Sequence, residues 1–448
     1  MNNRVLIMSR YKLSGLVLLF LLLTRTGVAQ TPGQTPSPMT WEQVRQRFEQ
    51  NNPTLLAGKL NIEESKAQEI TAFLRPNPQF TVSSDGTQVI PTSGRDPSTG
   101  ASYPWEPFVG TSEAGNFAYL HERQHKRELR LESAKKGTQI TVSSQADLER
   151  TLLFALRSGF VSTLQAKAVL QVAKDNLAYY DHVLDISRIR FKVGDIAQID
   201  LDRLELQRVQ FESDLQTAEV NLRTSKIALL MLLNDRTPVE QFDVSGSFDF
   251  SEPSLTRDEF RKIALDTRPD LRAAIQAVDK ARTDYKLAVA NGSTDPTLST
   301  WWTHNGSFNF SPGPVFGRHT LGASVSVPLR IFDRNQGEKL RTQLDVTRNE
   351  RLRDAAEALV FSDVDSGYTT LDSTVILLRP YKAKYLQMST RVRDTVFYSY
   401  QHGGASLLDF LNAESEYRAV QLSYVNLVGS YLTAAAQLNL AVGREVIQ

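Results

Sequence analysis

The fold is decided by residues 406–441, SLLDFLNAESEYRAVQLSYVNLVGSYLTAAAQLNLA. Alternating steps of three and four residues from Phe410 onward meet only apolar or aromatic side chains to the end of this stretch. The same steps along residues 201–232 meet apolar or aromatic side chains at all but two positions. So narrow a stripe is typical of a coiled-coil seam and not of a helix on a globular core. The sequence therefore predicts two long seam-forming helices, at 200–233 and 406–441.

Each of these helices ends one of two copies of a larger unit. Phe191-Lys192-Val193-Gly194 aligns with Tyr400-Gln401-His402-Gly403 near the end of the unit. At its start, Asn52-Pro53-Thr54-Leu55 aligns with Arg268-Pro269-Asp270-Leu271. The period is much longer than that of a solenoid repeat, so the chain reads as one tandem duplication.

Both copies follow the same internal order of helix, hairpin, very long helix, glycine turn and final helix. Thr40 and Thr256 are the predicted N-caps of the two opening helices. Repeat 1 is predicted at 39–234, with a helix at 41–74, a hairpin at 77–124, a long helix at 130–189 and a tip turn at 190–199. A linker at 235–254 leads to repeat 2 at 255–443, with a helix at 256–290, a hairpin at 295–331, a long helix at 336–400 and a tip turn at 401–405. Residues 444–448 form a tail.

The N-terminus has the pattern of a secretory signal at residues 1–29. Basic residues precede the apolar run Leu13–Leu23, and Gly27-Val28-Ala29 supplies small residues at the cleavage site, so that Gln30 opens a flexible leader at 30–38. A membrane anchor is the alternative, but this run is much shorter than the roughly twenty residues that a spanning helix needs. The sequence predicts an exported protein, whose entry into a membrane would have to be as a β-barrel.

Composition excludes several classes of function. The formal charge is +1, and because the signal segment holds four basic residues and no acidic ones, the rest carries −3. This gives no electrostatic reason to expect nucleic acid as a partner. The chain has no cysteine, which excludes disulfides and thiolate metal sites. Without a phosphate-binding glycine loop or a serine-hydrolase motif, we expect no cofactor and no enzymatic activity.

The hairpins have strand-like alternation. Leu321, Ala323, Val325, Val327 and Leu329 alternate with polar or small residues, as one face of a barrel wall requires. A soluble hairpin packed on helices would give the same pattern. Membrane barrels need at least eight strands, so a barrel built from four strands per chain must be shared between subunits. Aromatic residues suited to an interfacial girdle are Trp301, Trp302, Phe308 and Phe310. The strand pattern of the first copy is weaker, with Phe80 and Val82 followed by Phe117 and Tyr119. The hairpin loops are predicted at 85–112 and 311–318.

His121-Glu122-Arg123-Gln124-His125 matches the zinc-protease pattern H-E-x-x-H. On a helix its two imidazoles would share a face, but the segment lies where a strand should leave the hairpin. Residues four apart on a strand are roughly 13 Å apart, too far to share one zinc ion. We therefore expect a polar rim here and no metal site.

Beyond these patterns, the mature chain resembles the TolC-type outer-membrane efflux family. The resemblance depends on the duplicated unit, on Arg268-Pro269-Asp270-Leu271 and on the run Val327-Pro-Leu-Arg-Ile-Phe-Asp-Arg-Asn-Gln-Gly337. The Ile331–Gly337 part is most similar to the cobalt–zinc–cadmium class of resistance-nodulation-division systems. The resemblance implies a mixed α/β membrane protein: a homotrimer with a twelve-stranded barrel in the lipid of the outer membrane and a coiled-coil tunnel of long helices, docked on a periplasmic adaptor and an inner-membrane pump.

The same resemblance assigns the candidate site residues. Gly194, Gly403 and Gly404 become adaptor-docking tips, and Asp200, Asp409 and Tyr400 line a periplasmic aperture. Three copies of an aspartate around the axis would form an anionic ring that favours cations. The alternative is that both aspartates only cap helices. Where some family members have an arginine this chain has Ala405, which puts gating through that contact in doubt.

Heavy-metal cations are the expected cargo, because of the subclass resemblance. An outer-membrane duct for drug efflux or type I protein secretion is the alternative within the family. A secreted coiled-coil structural or adaptor protein is the alternative from another class.

Overall fold

A computed structural model describes residues 37–85, 90, 93–103, 105, 112–252, 254–305 and 319–447. The predicted signal peptide, most of the leader, Phe308, Phe310 and much of both hairpin loops lie outside these residues. From residue 38 onward the chain forms one compact unit.

The first copy contains four helices and two strands. The order is α1 (Trp41–Asn51), α2 (Pro53–Phe73), β1 (Gln79–Asp85), β2 (Ser112–Leu120), α3 (Lys126–Lys192) and α4 (Gln198–Leu232). With 67 residues, α3 is about 100 Å long at 1.5 Å per residue. The second copy repeats this order with α5 (Arg257–Thr267), α6 (Pro269–Asn291), β3 (Thr297–Asn305), β4 (His319–Ser326), α7 (Gln336–Pro380), α8 (Leu386–Gln401) and α9 (Leu407–Val442).

Each opening helix, predicted as one segment, is two helices. Thr40 and Thr256 are N-caps of α1 and α5, as predicted, but Asn52 and Arg268 then leave the helical conformation. The reason is the proline that follows each of them, because a proline ring disfavours the helical conformation in the preceding residue. Pro53 and Pro269 then begin α2 and α6 at the position where a missing N–H costs nothing.

The long helix of the second copy is interrupted. A π-helical turn at Tyr381–Tyr385 directly follows Pro380 and separates α7 from α8. The predicted segment 336–400 is therefore helical along its length but not a uniform α-helix. The first copy has no proline in α3 and stays regular.

The strands form an antiparallel sheet in the order β1-β2-β3-β4. Cross-strand partners share a face, so the register places Phe80, Phe117 and Trp302 together with Leu321 and Val325 on one side. The opposite side is mostly polar. All the exposed large apolar side chains of the strands lie on the first side: Phe80, Val82, Phe117, Leu298, Trp302, Leu321 and Val325.

Two details of the predicted hairpins are wrong. β4 ends at Ser326, so Val327 and Leu329 lie beyond the strand, where Pro328 cannot donate to a ladder. Trp301 and Trp302 are neighbours on a strand and therefore face opposite sides, so only Trp302 lies on the apolar side.

Three apolar clusters hold the helices together. One packs α5, α6, α7 and α9 of the second copy on Val161 of α3, and another packs α1 to α4 of the first copy with the linker. The linker contributes Phe242 and Val244, both buried, and the tail packs Val446 and Ile447 on the second copy. The third cluster lies near the glycine turns and joins both copies. Within the described residues, none of the helices combines the length and the apolar character needed to span a bilayer.

Candidate functional site

Matching glycine turns connect the long helical segment of each copy to its final helix. α3 ends at Lys192 and α4 begins at Gln198, while α8 ends at Gln401 and α9 begins at Leu407. Gly194 and Gly403 have φ of 82° and 76°, a left-handed conformation that favours glycine. The first turn is shorter than the predicted 190–199, because residues 190–192 and 198–199 continue the helices. The second coincides closely with the predicted 401–405.

Equivalent backbone hydrogen bonds close the two turns. Asp195 N–H donates to the Arg190 carbonyl at 2.9 Å, and Gly404 N–H donates to the Ser399 carbonyl at 2.8 Å. Each bond spans five residues, which is the pattern of a Schellman motif at a helix C-terminus. Gly404 itself lies outside the left-handed region, so its place in the turn does not depend on glycine.

The helices behind the turns pack as one cluster from both copies. It contains Tyr180, Val183, Leu184, Leu201, Leu204, Phe211, Tyr400, Leu407 and Phe410. Tyr180 stacks on Phe211 with ring centroids 4.3 Å apart, and Tyr400 stacks on Phe410 at 5.6 Å. These stacks join α3 to α4 and α8 to α9, and an edge contact between Tyr179 and Phe397, with centroids 6.0 Å apart, joins the two pairs.

Asp409 and Asp200 occupy equivalent places but make different contacts. Both lie in the first turn of a helix, three residues beyond the N-cap. Asp409 completes a capping box, since its carboxylate accepts from the N–H and the hydroxyl of Ser406 at 3.0 and 2.7 Å. These bonds lower the pKa of Asp409, so the exposed carboxylate is ionised. The N-cap of α4 is Ala197, so neither aspartate is itself an N-cap, and Ser406 takes that role in the second copy.

Tyr400, the predicted gate contact, is buried in the described protomer. The residue is 7% exposed, and the Arg190 guanidinium lies 5.3 Å from its ring centroid. Arg190 also donates to the Tyr400 carbonyl at 3.4 Å. In the described protomer Tyr400 thus joins the two copies through Arg190.

The H-E-x-x-H segment is neither a helix nor a strand. β2 ends at Leu120 and α3 begins at Lys126, and Gln124 and His125 have positive φ. Glu122 forms a two-pronged ion pair with Arg130, with one contact at 2.8 Å. The segment therefore forms a strand-to-helix turn. In the part of the chain that the structure describes, no group of three or more His, Cys, Asp or Glu side chains is arranged to hold a metal ion.

The structure adds one residue that the sequence did not single out. Glu414 aligns with Glu205, yet Glu414 is only 2% exposed and neither of its carboxylate oxygens has a hydrogen-bond partner. Glu205 is exposed and pairs with Arg188 at 3.1 Å. Burial raises the pKa of Glu414 to about 7, and the positive charges of Arg393 and Arg418 oppose this only in part.

Comparison with known proteins identifies the fold and the family. A family model described as outer membrane efflux protein matches residues 261–444. A solved structure of CusC, a protein described as forming a transmembrane channel, superposes with a TM-score of 0.71 at 18% identity, and the match covers 90% of this chain and 92% of CusC. Residues 261–444 therefore belong to the outer membrane efflux protein family, which is one of channels and not of enzymes. With the fold of a solved channel over nearly its whole length, the chain is an efflux channel subunit. The predicted family and fold are confirmed.

Two relatives carry names that specify a cargo. The cobalt-zinc-cadmium resistance protein CzcC of Cupriavidus metallidurans is 22% identical over an alignment of 343 residues that covers 71% of this chain and 74% of CzcC. The pyoverdine export outer membrane protein OpmQ of Pseudomonas aeruginosa is 23% identical over 323 residues, which is 71% of this chain and 66% of OpmQ.

Proposed function

We propose that three copies of this chain form the exit duct of a tripartite efflux system for metal cations. Twelve strands close one barrel in the outer membrane, and the long helices form a periplasmic tunnel. The tips at Gly194, Gly403 and Gly404 dock on a periplasmic adaptor that is joined to an inner-membrane pump. Residues 1–29 direct export and are then removed.

The observation that carries this proposal is the sheet. Its exposed apolar side is suited to lipid and its polar side to a water-filled lumen. β1 and β4 are the end strands of the sheet order among the described residues, so each offers one edge for pairing. Pairing β4 of one subunit with β1 of the next satisfies both edges and places all apolar side chains outside.

The metal cargo is supported by the CzcC relative and by the carboxylates at the tips. Asp409 is exposed and ionised, and Asp200 lies at the equivalent place of the first copy. Around a threefold axis these carboxylates form two anionic rings, which raise the local concentration of cations. Passage needs no dedicated metal site, because the pump selects the cargo and the duct admits it.

The sheet argument is tested by a matched pair of substitutions on β4. Leu321 is 80% exposed on the apolar side, and Thr320 lies on the polar side. A lysine on the lipid side of a barrel costs about 2–4 kcal/mol at the bilayer midplane. We therefore expect Leu321→Lys to reduce the amount of detergent-resistant trimer in outer membranes and Thr320→Lys to leave it near the parent level. Equal yields of the two variants, or a stable monomer without detergent, would contradict the duct.

The cargo is tested in cells. Deleting the gene should increase sensitivity to cobalt, zinc, cadmium or copper, and the intact gene should restore resistance. Sensitivity confined to drugs, or loss of siderophore export, would assign a different cargo to the same duct. Conductance of purified trimers in planar bilayers should be larger for cations than for anions, and Asp409→Asn should reduce that preference.

A further inference from the structure

Glu414 lies inside the helical end of the protomer, five residues beyond Asp409 on α9. It is 2% exposed, and both of its carboxylate oxygens lack a hydrogen-bond partner. Hydroxyls of Tyr400 and of Tyr179, and the amide oxygen of Gln421, are also buried without a partner near this end. A buried charge without hydrogen bonds costs far more free energy than a buried neutral carboxyl, so burial favours the protonated form.

Both arginines that could neutralise Glu414 are engaged elsewhere. Arg393 of α8 pairs with Asp394 at 2.8 Å and lies over the rings of Tyr179 and Tyr417, about 4 Å from each centroid. Arg418 pairs with Asp214 of α4 and lies 4.2 Å from the centroid of Phe211. Neither donates a hydrogen bond to Glu414.

The charged and titratable groups that face Glu414 come from four helices. They are Tyr179 and Tyr180 of α3, Asp214 of α4 through its pair with Arg418, Arg393 and Asp394 of α8, and Tyr417 and Arg418 of α9. The two tyrosines of α3 stay neutral, because burial raises the pKa of each and that of Tyr179 reaches about 12. Glu414 is therefore the group of this set that changes charge near neutral pH.

We propose that Glu414 is a proton-operated latch, which holds the packed arrangement of α8 and α9 against the first copy while it is protonated and releases it when it ionises. This inference rests on the proposed function, since release of α8 and α9 would widen the periplasmic end of the duct. An ionised carboxylate is destabilised inside the buried cluster, so ionisation drives it toward water or toward Arg393. The equivalent Glu205 is already exposed and paired with Arg188, so the first copy has no such latch.

The direction of the pH effect follows from the two states. In the packed state burial raises the pKa of Glu414 from 4.5 to about 7. In a released, solvated state the pKa returns toward its ordinary value. The packed state then binds more protons, so its extra stability is complete at acidic pH and is lost as pH rises through about 7. Between these two values the ratio of released to packed ends rises up to about tenfold per pH unit and per subunit.

The test uses the full-length trimer and the absence of cysteine from the chain. A single Leu408→Cys substitution puts a spin label on an exposed position of α9, and distances between the three labels report the width of the end. Conductance in planar bilayers is recorded on unlabelled protein from pH 5 to pH 8. We expect both readouts to move toward the released state as pH rises. Glu414→Gln should remain packed at every pH, and the matched Glu205→Gln should keep the parent pH profile.

Two outcomes overturn the latch: a Glu414→Gln trimer with the parent pH profile, or a Glu205→Gln trimer that loses it. If Glu414→Gln fails to fold, infrared difference spectra of the parent protein decide instead, since a buried protonated carboxyl should disappear with a midpoint near pH 7. No carboxyl titration above pH 6 would reject the proposal. Absence of trimers and of conductance at any pH would reject the duct. The infrared titration would then still test the protonation of Glu414 independently.

Discussion

The two copies of the unit have the same order of elements but differ in the regularity of the long helix and in the burial of one glutamate. In the first copy α3 is regular over 67 residues and Glu205 is exposed and paired. In the second copy a π turn interrupts the long helix and Glu414 is buried and unpaired. The glycine turns, their hydrogen bonds and the N-terminal capping boxes of α1 and α5 are the same in both. The turns and caps that bound the helices are thus the same in both copies, whereas the interior of the second copy contains features that lower stability.

The copies also share a connection that no short motif predicts. Asn52 donates to the carbonyl of Leu232 at 2.9 Å, and Arg268 donates to the carbonyl of Ala441 at 3.3 Å. The two acceptors are in the last turn of α4 and of α9, at equivalent positions. The residue before each proline therefore ties the start of its copy to the end of the final helix, by an amide in one copy and by a cation in the other.

Removing these two ties gives the largest expected difference between the copies. Arg268 is 2% exposed and pairs with Asp270 at 2.6 Å and Asp363 at 2.8 Å. Breaking a buried ion pair from one side costs about 3–5 kcal/mol, so Arg268→Ala should lower the free energy of unfolding by that amount. Asn52→Ala removes an N-cap acceptor and should cost about 1 kcal/mol. Denaturant unfolding of the purified protein measures both.

Arg268→Lys is the control for this prediction, because it keeps the charge but loses the two-pronged contact with Asp270. The free energy of unfolding of Arg268→Lys should lie between that of the parent and that of Arg268→Ala. Equal losses for Asn52→Ala and Arg268→Ala would mean that the second copy does not depend on its ion pairs.

Exchanging the proline between the long helices gives a smaller effect. Pro380 aligns with Gln171 at the spacing that pairs Gly403 with Gly194, and Gln171 lies inside regular α3. A proline inside a helix costs about 3 kcal/mol or more, so Gln171→Pro should destabilise the first copy by about that amount. Pro380→Ala should change stability by less than about 1 kcal/mol, because the π turn already accommodates the proline. Thermal unfolding followed by circular dichroism compares the two, and equal effects would contradict the assignment of the π turn to Pro380.

The sequence predicted those features that depend on local chemistry. The seam of α9 contains Phe410, Ala413, Tyr417 and Tyr431, which are buried, and the tip glycines have the conformation that their turns require. Glu414 could not be predicted in this way. It lies beside the seam residue Ala413, and it is buried because α9 packs on α3 and α8 at once, whereas a single seam describes packing on one partner only. The helix breaks at Asn52 and Arg268 had a local signal in the prolines that follow them.

The aperture residues show the same limit. Asp200 and Asp409 align and both follow a glycine turn, so one role was expected for both. Their difference comes from the residue three positions earlier, which is Ala197 in one copy and Ser406 in the other. Only Ser406 offers a hydroxyl, and only Asp409 is therefore held in a capping box.

The smallest expected effects concern the tip turns, where the copies agree. Gly403 has φ of 76° and open space around it, so an added methyl group meets no neighbour and only the backbone is strained. A left-handed conformation costs a residue with a β-carbon about 1–2 kcal/mol, and Gly403→Ala and Gly194→Ala should each lose about that much stability. Gly404→Ala should lose close to nothing, because Gly404 is not in that region and its added carbon would lie at ordinary contact distance, 3.6 Å, from the Ser399 carbonyl. Unfolding curves of the three variants, measured side by side, separate backbone strain from loss of a docking surface: if the turns are built as described, Gly194→Ala and Gly403→Ala move together and Gly404→Ala stays with the parent. A loss at Gly404 equal to that at Gly403 would instead show that the tip needs small side chains at both positions, and not a left-handed residue at one.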